Sequence, residues 1–435
     1  MYRSRAIVVT LALCGLVLCG CKKNEDLVDY SRPLPPGAYA LRKLTDPDMI
    51  PDFTAGYSAN PQQLLAAIDH SLAYLVGHPS SQNYFPVQEI THQQVVQSLK
   101  AFRQLLLSAR TPEELRQGLL ASFDVYQSIG CDDRGTVLFT GYYQPVFEGS
   151  LEKTGVYRYP LYKLPADLVK DSEGLCAGRR LSDGRIVEYP KRQELESSGQ
   201  LAGLELVYLK DKFDTYICHI QGSALIYLQG GRWLEVGYAG KNAAKYESVG
   251  KLLLKDGKIA PQEYSLDAIR AYFRAHPEDV DRYCWENETF IFFQSSAGGP
   301  FGSLGAPVTP YRSLATDKLR DPTTGQYIFP RGGLTFVETT VPVHEGSVLV
   351  GKPFAQFMLD QDTGGAIRAA GRADLFIGRG PEAGQVAGWT TATGKLYYLV
   401  LKPEAMPSVP LALPAEPALP VAPATPAPLA PPAIQ

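Results

Sequence analysis

The chain has 435 residues, too many for one ordinary compact core, so two domains are expected. Its 45% apolar, 20% charged and 10% aromatic residues describe a globular protein, and 25 tyrosines with 40 glycines favour β structure and ring-stacking surfaces. A formal net charge of −3 gives no basis for nucleic acid or an acidic surface as partner.

In chain order, Arg3 and Arg5 form a positive start, and Ala6 to Val17 is an apolar stretch too short to span a bilayer. It ends in Leu18-Cys19-Gly20-Cys21, which has the form of a bacterial lipobox. Residues 1–20 are therefore expected to be a lipoprotein signal peptide, with Cys21 the lipidated N-terminus; the alternative is an ordinary signal peptide with a chance cysteine. Several acyl chains on one cysteine would anchor stably. Lys22 follows where an aspartate would signal inner-membrane retention, so the outer membrane, facing the periplasm, is the expected location.

Residues 21–50, polar and containing Pro33, Pro35 and Pro36, are expected to be a tether. Asn60-Pro61 then opens a helix with Leu64, Leu65, Ile68, Leu72 and Leu75 at helical spacing. Val95, Val96, Leu99, Phe102 and Leu106 mark a second helix, and Thr111-Pro112-Glu113-Glu114 is a capping box for a third. From Thr136 the pattern turns to strands: Val137–Tyr143, Leu206–Leu209, Phe213–Ile220, Leu225–Leu228 and Trp233–Tyr238, with Gly230-Gly231 as a hairpin turn. Ser265 caps a helix through Ile269 and Phe273. Phe290–Phe293 is a strand, and residues 296–330, rich in Gly, Pro, Ser and Thr, are expected to be a long surface loop. Strands resume at Leu334–Glu338, Ala373–Ile377 and Leu396–Leu401. Residues 403–435 are a Pro/Ala-rich tail that can bury no core and are expected to be disordered.

Of seven cysteines, Cys14 and Cys19 fall in the leader and Cys21 is the anchor. Cys131, Cys176, Cys218 and Cys284 lack any C-x-x-C spacing, which argues against a metal site. They are either two disulfides, in any of three pairings, or buried free thiols. The six histidines are dispersed, and no H-E-x-x-H, G-x-S-x-G or phosphate-binding loop occurs.

Carboxylates remain. The densest constellation is Asp362-Thr363-Gly364-Gly365 followed by Gly371-Arg372-Ala373-Asp374-Leu375-Phe376-Ile377-Gly378. The two glycines allow backbone to approach a ligand closely. Asp374 interrupts an apolar strand, where desolvation would raise its pKa as a general acid at neutral pH requires. Alternatively, both aspartates bond backbone N–H groups in turns.

This segment, with Gly380-Pro381-Glu382-Ala383-Gly384 and Ala387-Gly388-Trp389, resembles the 3D domain of the MltA lytic transglycosylases. Phe139-Thr140-Gly141-Tyr142-Tyr143-Gln144-Pro145, Ile220-Gln221-Gly222-Ser223, Val236-Gly237-Tyr238-Ala239-Gly240-Lys241-Asn242, and the Phe292-Phe293 and Gly302–Pro310 blocks resemble that family's motifs in the same order. The resemblance implies a mainly β fold with N-terminal helices: a double-psi β-barrel from residues 51–146 and 290–402, plus an inserted second β-barrel over 147–289. It implies a lytic transglycosylase that cleaves the MurNAc–GlcNAc bond of peptidoglycan and leaves 1,6-anhydroMurNAc ends, without metal or cofactor. Asp374 would be the acid/base and Asp362 its companion; Asp360 and Glu382 are the other nearby carboxylates. Tyr142, Tyr143 and Tyr238 would stack on sugars, while Thr140, Gln221, Ser223, Asn242, Gly364 and Gly365 would contact them. Partners would be glycan strands, the membrane through Cys21, and proteins of wall synthesis or remodelling. The alternatives are a hydrolytic muramidase using both aspartates, and a non-catalytic wall-binding lipoprotein.

Overall fold

The computed structural model describes residues 28–407, apart from 172–173, 319, 322–324, 347 and 366. The leader, Cys21 and the tail beyond 407 lie outside the described residues.

The first expected helices form where apolar spacing placed them. They are α1 (Gln62–Gly77), α2 (His92–Ser108) and α3 (Pro112–Ser122), between β1 (Leu41–Lys43) and β2 (Phe123–Ser128). Thr91 and Thr111 cap α2 and α3, each hydroxyl accepting from the N–H three residues on. Next come β3 (Val137–Gln144), β4 (Val146–Ser150), β5 (Tyr159–Tyr162), β6 (Leu168–Lys170), β7 (Cys176–Arg180), β8 (Ile186–Val187) and α4 (Arg192–Ser197). After these lie β9 (Glu205–Leu209), α5 (Lys212–Gln221), β10 (Ser223–Leu228) and β11 (Arg232–Lys241). Three helices follow, α6 (Val249–Lys255), α7 (Leu266–Ala275) and α8 (Asp279–Glu286), and then β12 (Ile291–Ser296). The chain closes with β13 (Ser313–Ala315), β14 (Leu334–Glu345), β15 (Val348–Asp362), β16 (Arg372–Arg379), α9 (Gly380–Trp389) and β17 (Thr391–Leu401).

The structure is mainly β with N-terminal helices, as expected. One sheet runs β1-β2-β17-β14-β15-β13-β16-β3, and a further β17–β3 pairing closes its last six strands into a barrel. Closure leaves those six strands without a free edge. The second sheet, β12-β11-β10-β4-β9-β5, brings its ends together at the Lys163–Phe293 bridge. Helices α1 to α3 cover the first barrel, where Phe53, Phe102, Phe336 and Phe357 pack with ring centroids 4.9 to 5.9 Å apart. Helix α9 lies against β3 so closely that a Cβ on Gly141 would stand 2.8 Å from Ala387 Cα, and one on Gly384 the same distance from the Tyr143 ring. Glycine at both positions permits that approach.

Three expectations are corrected. Phe213–Ile220 is helix, not strand: Asp211 caps α5 through the Asp214 N–H, and Gly222 ends it at φ 72°. Its β-branched and aromatic content imitates a strand, but Phe213, Tyr216 and Ile217 line one helical face and are buried in a common cluster. Residues 296–330 are not a surface loop: they contain the buried strand β13, and Leu304, Val308 and Tyr327–Arg331 are buried as well. The far end of the expected tether is built in, since β1 pairs antiparallel with β2 and Leu34, Ala40 and Leu41 are buried. Cys131, Cys176, Cys218 and Cys284 are free thiols, and all but Cys176 are buried.

Phe357→Ala removes the ring shared by Phe53, Phe102 and Phe336 and is expected to cost about 3–5 kcal/mol. Urea unfolding checks it, and a loss below about 1 kcal/mol would show that the cluster collapses around the gap.

Candidate active site

The four central strands set the site. Ala315 on β13 pairs in parallel with Asp362 on β15 and antiparallel with Asp374 on β16, and Asp374 pairs in turn with Thr140 on β3. Asp362, Ala315, Asp374 and Thr140 thus form one rung across the barrel wall. Two strand spacings separate the aspartates, about 10 Å between Cα atoms. The residue between them on the rung is Ala315, whose side chain is a single methyl group.

Asp374 is half-buried, its side chain 17% exposed. The Thr140 hydroxyl donates to its Oδ1, and Arg372 Nε lies 3.5 Å from the same oxygen. Arg372 also donates to Thr140 Oγ1 at 3.3 Å. The apolar jacket expected around Asp374 is therefore absent. Leu375 and Ala373 alternate with it into the core, as neighbours on a strand do, and Asp374 meets polar groups on the other face. The Asp362 carboxyl has a raised pKa. Burial pushes its carboxyl up, against backbone N–H groups of Thr363 and Ser303, each 2.8 Å from Oδ1, that hold it down.

The Tyr142 hydroxyl is buried beside Asp362 without a hydrogen bond of regular geometry. Burial, then the charges of Asp362 and Asp374, drive its pKa far above normal, so the phenol keeps its proton. Its ring packs on Phe376, its partner across β16–β3, at 5.2 Å.

Other expected residues divide. Tyr238, on β11, is 47% exposed. Gln221 ends α5, accepts the Tyr143 N–H at 3.2 Å and lines a cleft of about 200 Å³ with Tyr246, Tyr264 and Gly388. Ser223 is buried at the start of β10. Gly365 lies under the Lys241 ammonium, and Gly364 accepts a hydrogen bond from Arg368. Thr140, expected to bond sugar, instead uses its hydroxyl on Asp374. Tyr143 is buried against Gly384, its hydroxyl 3.5 Å from Arg270, so it packs the fold and offers no stacking face. Asn242 is likewise no ligand group. It is fully buried, donates to the carbonyls of Pro190 and Glu288 and accepts from Phe290 N–H. Asp360 is also fully buried, bound to Lys318, Thr316 and Tyr398. Glu382 lies in the first turn of α9.

Three further residues stand at the site. Arg372 and Tyr246 both stand by Asp374, whose charge acts on the Tyr246 phenol. Lys241, next to Asn242, faces the loop at Gly365. Only Arg372 had a signal, its place two residues before Asp374 on one strand face. Among the described residues no group of His, Cys, Asp and Glu could hold a metal ion. A larger cavity, about 480 Å³, lies among Arg158, Lys210, Asp211, Arg270 and Asp281 and includes neither aspartate.

Comparison with known proteins matches residues 138–294 to the MltA-specific insert domain and residues 312–400 to the 3D domain. Membrane-bound lytic murein transglycosylase A of Vibrio cholerae is 33% identical over 302 residues, 68% of this chain and 74% of that protein. The Escherichia coli enzyme of the same name is 30% identical over 285 residues, 65% of this chain and 70% of that one. Among solved structures, the membrane-bound lytic murein transglycosylase of Agrobacterium tumefaciens aligns with TM-score 0.68 at 28% identity, over 83% of this chain and 98% of its own. Escherichia coli MltA with bound chitohexaose aligns with TM-score 0.63 at 26% identity, over 86% and 98%.

Because burial raises the folded pKa of Asp362 above its unfolded value, the acid form is favoured in the fold. Its contribution is complete at pH below about 4 and is lost as pH rises through the folded pKa. Asp362→Asn keeps an oxygen for Ser303 and Thr363 but no longer titrates. The melting temperature of the variant relative to wild type should therefore climb between pH 4 and 7; a pH-independent difference would contradict the burial argument.

Proposed function

We propose, for a chain that belongs to the MltA family of lytic murein transglycosylases, that Asp374 is the single acid/base of a non-hydrolytic cut through peptidoglycan glycan strands. What carries the reading is the rung that sets Asp374 beside Thr140 and across Ala315 from Asp362. The bond cut is the β-1,4 link between MurNAc and GlcNAc. Protonated Asp374 gives its proton to the glycosidic oxygen, and an oxocarbenium-like state develops at C1 of MurNAc. The carboxylate then takes the proton of the MurNAc C6 hydroxyl, whose oxygen closes on C1 to give the 1,6-anhydro ring. No water enters and no net proton is lost. Holding the hydroxyl within the same sugar supplies the nucleophile at high effective concentration, so a second catalytic carboxylate for water is dispensable.

Thr140 and Arg372 fix the Asp374 carboxyl, and Asp362 with the protonated Tyr142 completes the polar wall on which positive charge at C1 is accommodated. Residues 51–146 and 290–402 serve as the catalytic unit and 147–289 as the inserted one, with Tyr238, Gln221, Gly364 and Gly365 meeting the glycan. The protein works at a membrane of the cell envelope, as the names of its relatives indicate for them. Cys21 as lipid anchor, the outer membrane as location, and wall-synthesis or wall-remodelling proteins as partners complete the reading.

Asp374→Asn is expected to reduce cleavage of purified sacculi by about 10³-fold or more while glycan binding persists; mass spectrometry of the products checks the first and calorimetry with glycan the second. Wild-type products ending in anhydroMurNAc support the scheme. Products heavier by one water, with a free reducing end, would mean a hydrolase that needs Asp362 as partner; near-wild-type turnover by Asp374→Asn would sink the assignment.

A further inference from the structure

Lys241 ends β11 and pairs with Ile291 of β12. Next to it, Asn242 bonds the backbone at Pro190, Glu288 and Phe290, so the strand end that carries Lys241 is rigid. The side chain reaches out of the second sheet to the loop that joins Asp362 to the Asp374 strand: a Cβ on Gly365 would stand 3.9 Å from its Nζ. Arg368 belongs to that loop. Its Nη1 donates to the carbonyls of Gly364 at 3.2 Å and Ile367 at 2.6 Å, which pins the guanidinium in place.

Two cations are therefore brought together where the two sheets meet. Lys241 is only partly exposed, and among the described residues it forms no ion pair. Burial and then the Arg368 charge push its ammonium pKa down. A half-dry ammonium beside a second cation is costly, and folding offers no reason to place it there. A ligand anion would relieve both costs.

We propose that Lys241 and Arg368 form a subsite for a carboxylate carried by the muramic acid of the glycan strand. The inference rests on the peptidoglycan reading above and adds to it the part of the substrate that distinguishes murein from chitin. N-acetylglucosamine carries no acid. Muramic acid carries a lactyl ether whose carboxylate is free in denuded strands and, in peptide-bearing strands, is an amide leading to the carboxylates of the stem. Both sources present the same group to the same cations. A carboxylate there accepts charge-assisted hydrogen bonds from a partly desolvated ammonium, the setting in which such bonds are strongest.

The test measures binding by calorimetry on the full chain carrying Asp374→Asn, with three glycans of equal length: the N-acetylglucosamine hexamer, a denuded murein hexasaccharide and its peptide-bearing form. Residual cleavage in this background would count against the acid/base reading and is scored separately. The expected result is that at least one carboxylate-bearing glycan binds about tenfold tighter than the uncharged hexamer. Adding Lys241→Gln should bring that ratio to within about twofold of one, and adding Lys241→Arg should restore most of it. Preference for the denuded strand assigns the lactyl carboxylate, and preference confined to the peptide-bearing strand assigns the stem. The proposal is overturned if no preference exists, if Lys241→Gln keeps it, or if Lys241→Gln weakens all three glycans equally.

Discussion

The site depends on a strand of three residues. β13 is buried between β15 and β16, parallel to one and antiparallel to the other, and its last residue, Ala315, is 2% exposed. Without it the two aspartate-bearing strands would pair directly or part, and the carboxylates would lose their spacing. With it, their separation is fixed by hydrogen-bond geometry rather than by side-chain choice, and Ala315 keeps the intervening space narrow. A register shift between Leu314 and Ala315 lets Asp360 and Asp362 serve different purposes: one faces the buried network and the other the rung.

That network explains how so short a strand stays put. Just beyond β13, Thr316 donates to Asp360, and the Lys318 ammonium pairs with the same carboxylate, which also accepts from Tyr398 at 2.8 Å. Burial pushes the Lys318 pKa down while Asp360 pulls it up. A buried ion pair adds little net stability against an apolar substitute, but breaking one is costly, because the remaining charge has nowhere to go. Its value here is positional. The pair admits one arrangement of residues 313–318 against β15, and Ser313 adds a hydrogen bond to Gln361, whose amide reaches Ala67 and Ser71 of α1. The N-terminal helices thereby brace the strand that separates the aspartates.

Period and capping made much of this legible. The amphipathic helices α1 to α3, the caps at Thr111 and Ser265, and the hairpin at Gly230-Gly231 all follow local rules that tertiary packing did not overrule. What stayed hidden was long-range. β13 is too short to show a period, and β15 contains Gly351 and Pro353, which read as breakers although the strand is held in register along its length by β14. In α5, Thr, Ile and aromatic residues argued for extended chain, and only the Asp211 cap and the Gly222 stop betrayed a helix. The motif residues were found by their order, yet order could not separate Asn242, which holds backbone, from Lys241 next to it, which faces the loop between the aspartates. Nor could it show that side chains hold the Asp374 carboxyl while main-chain N–H groups hold that of Asp362.

That division suits a reaction with one proton carrier. Asp362 takes two backbone N–H groups on a single oxygen, from residues 59 positions apart in the one case and adjacent in the other, so its carboxyl is tied to two pieces of main chain. Such a group cannot exchange partners without moving the fold. Asp374 is held through side chains, the Thr140 hydroxyl and the Arg372 guanidinium, and both meet Oδ1. Its Oδ2 makes no hydrogen bond to the protein among the described residues, and a hydroxyl can rotate away or turn as a proton arrives or leaves. A carboxyl that must donate to one oxygen and accept from another within a single turnover needs this freedom, whereas a carboxyl that only shapes the field around C1 is better fixed. The rung therefore separates motion from support across one alanine.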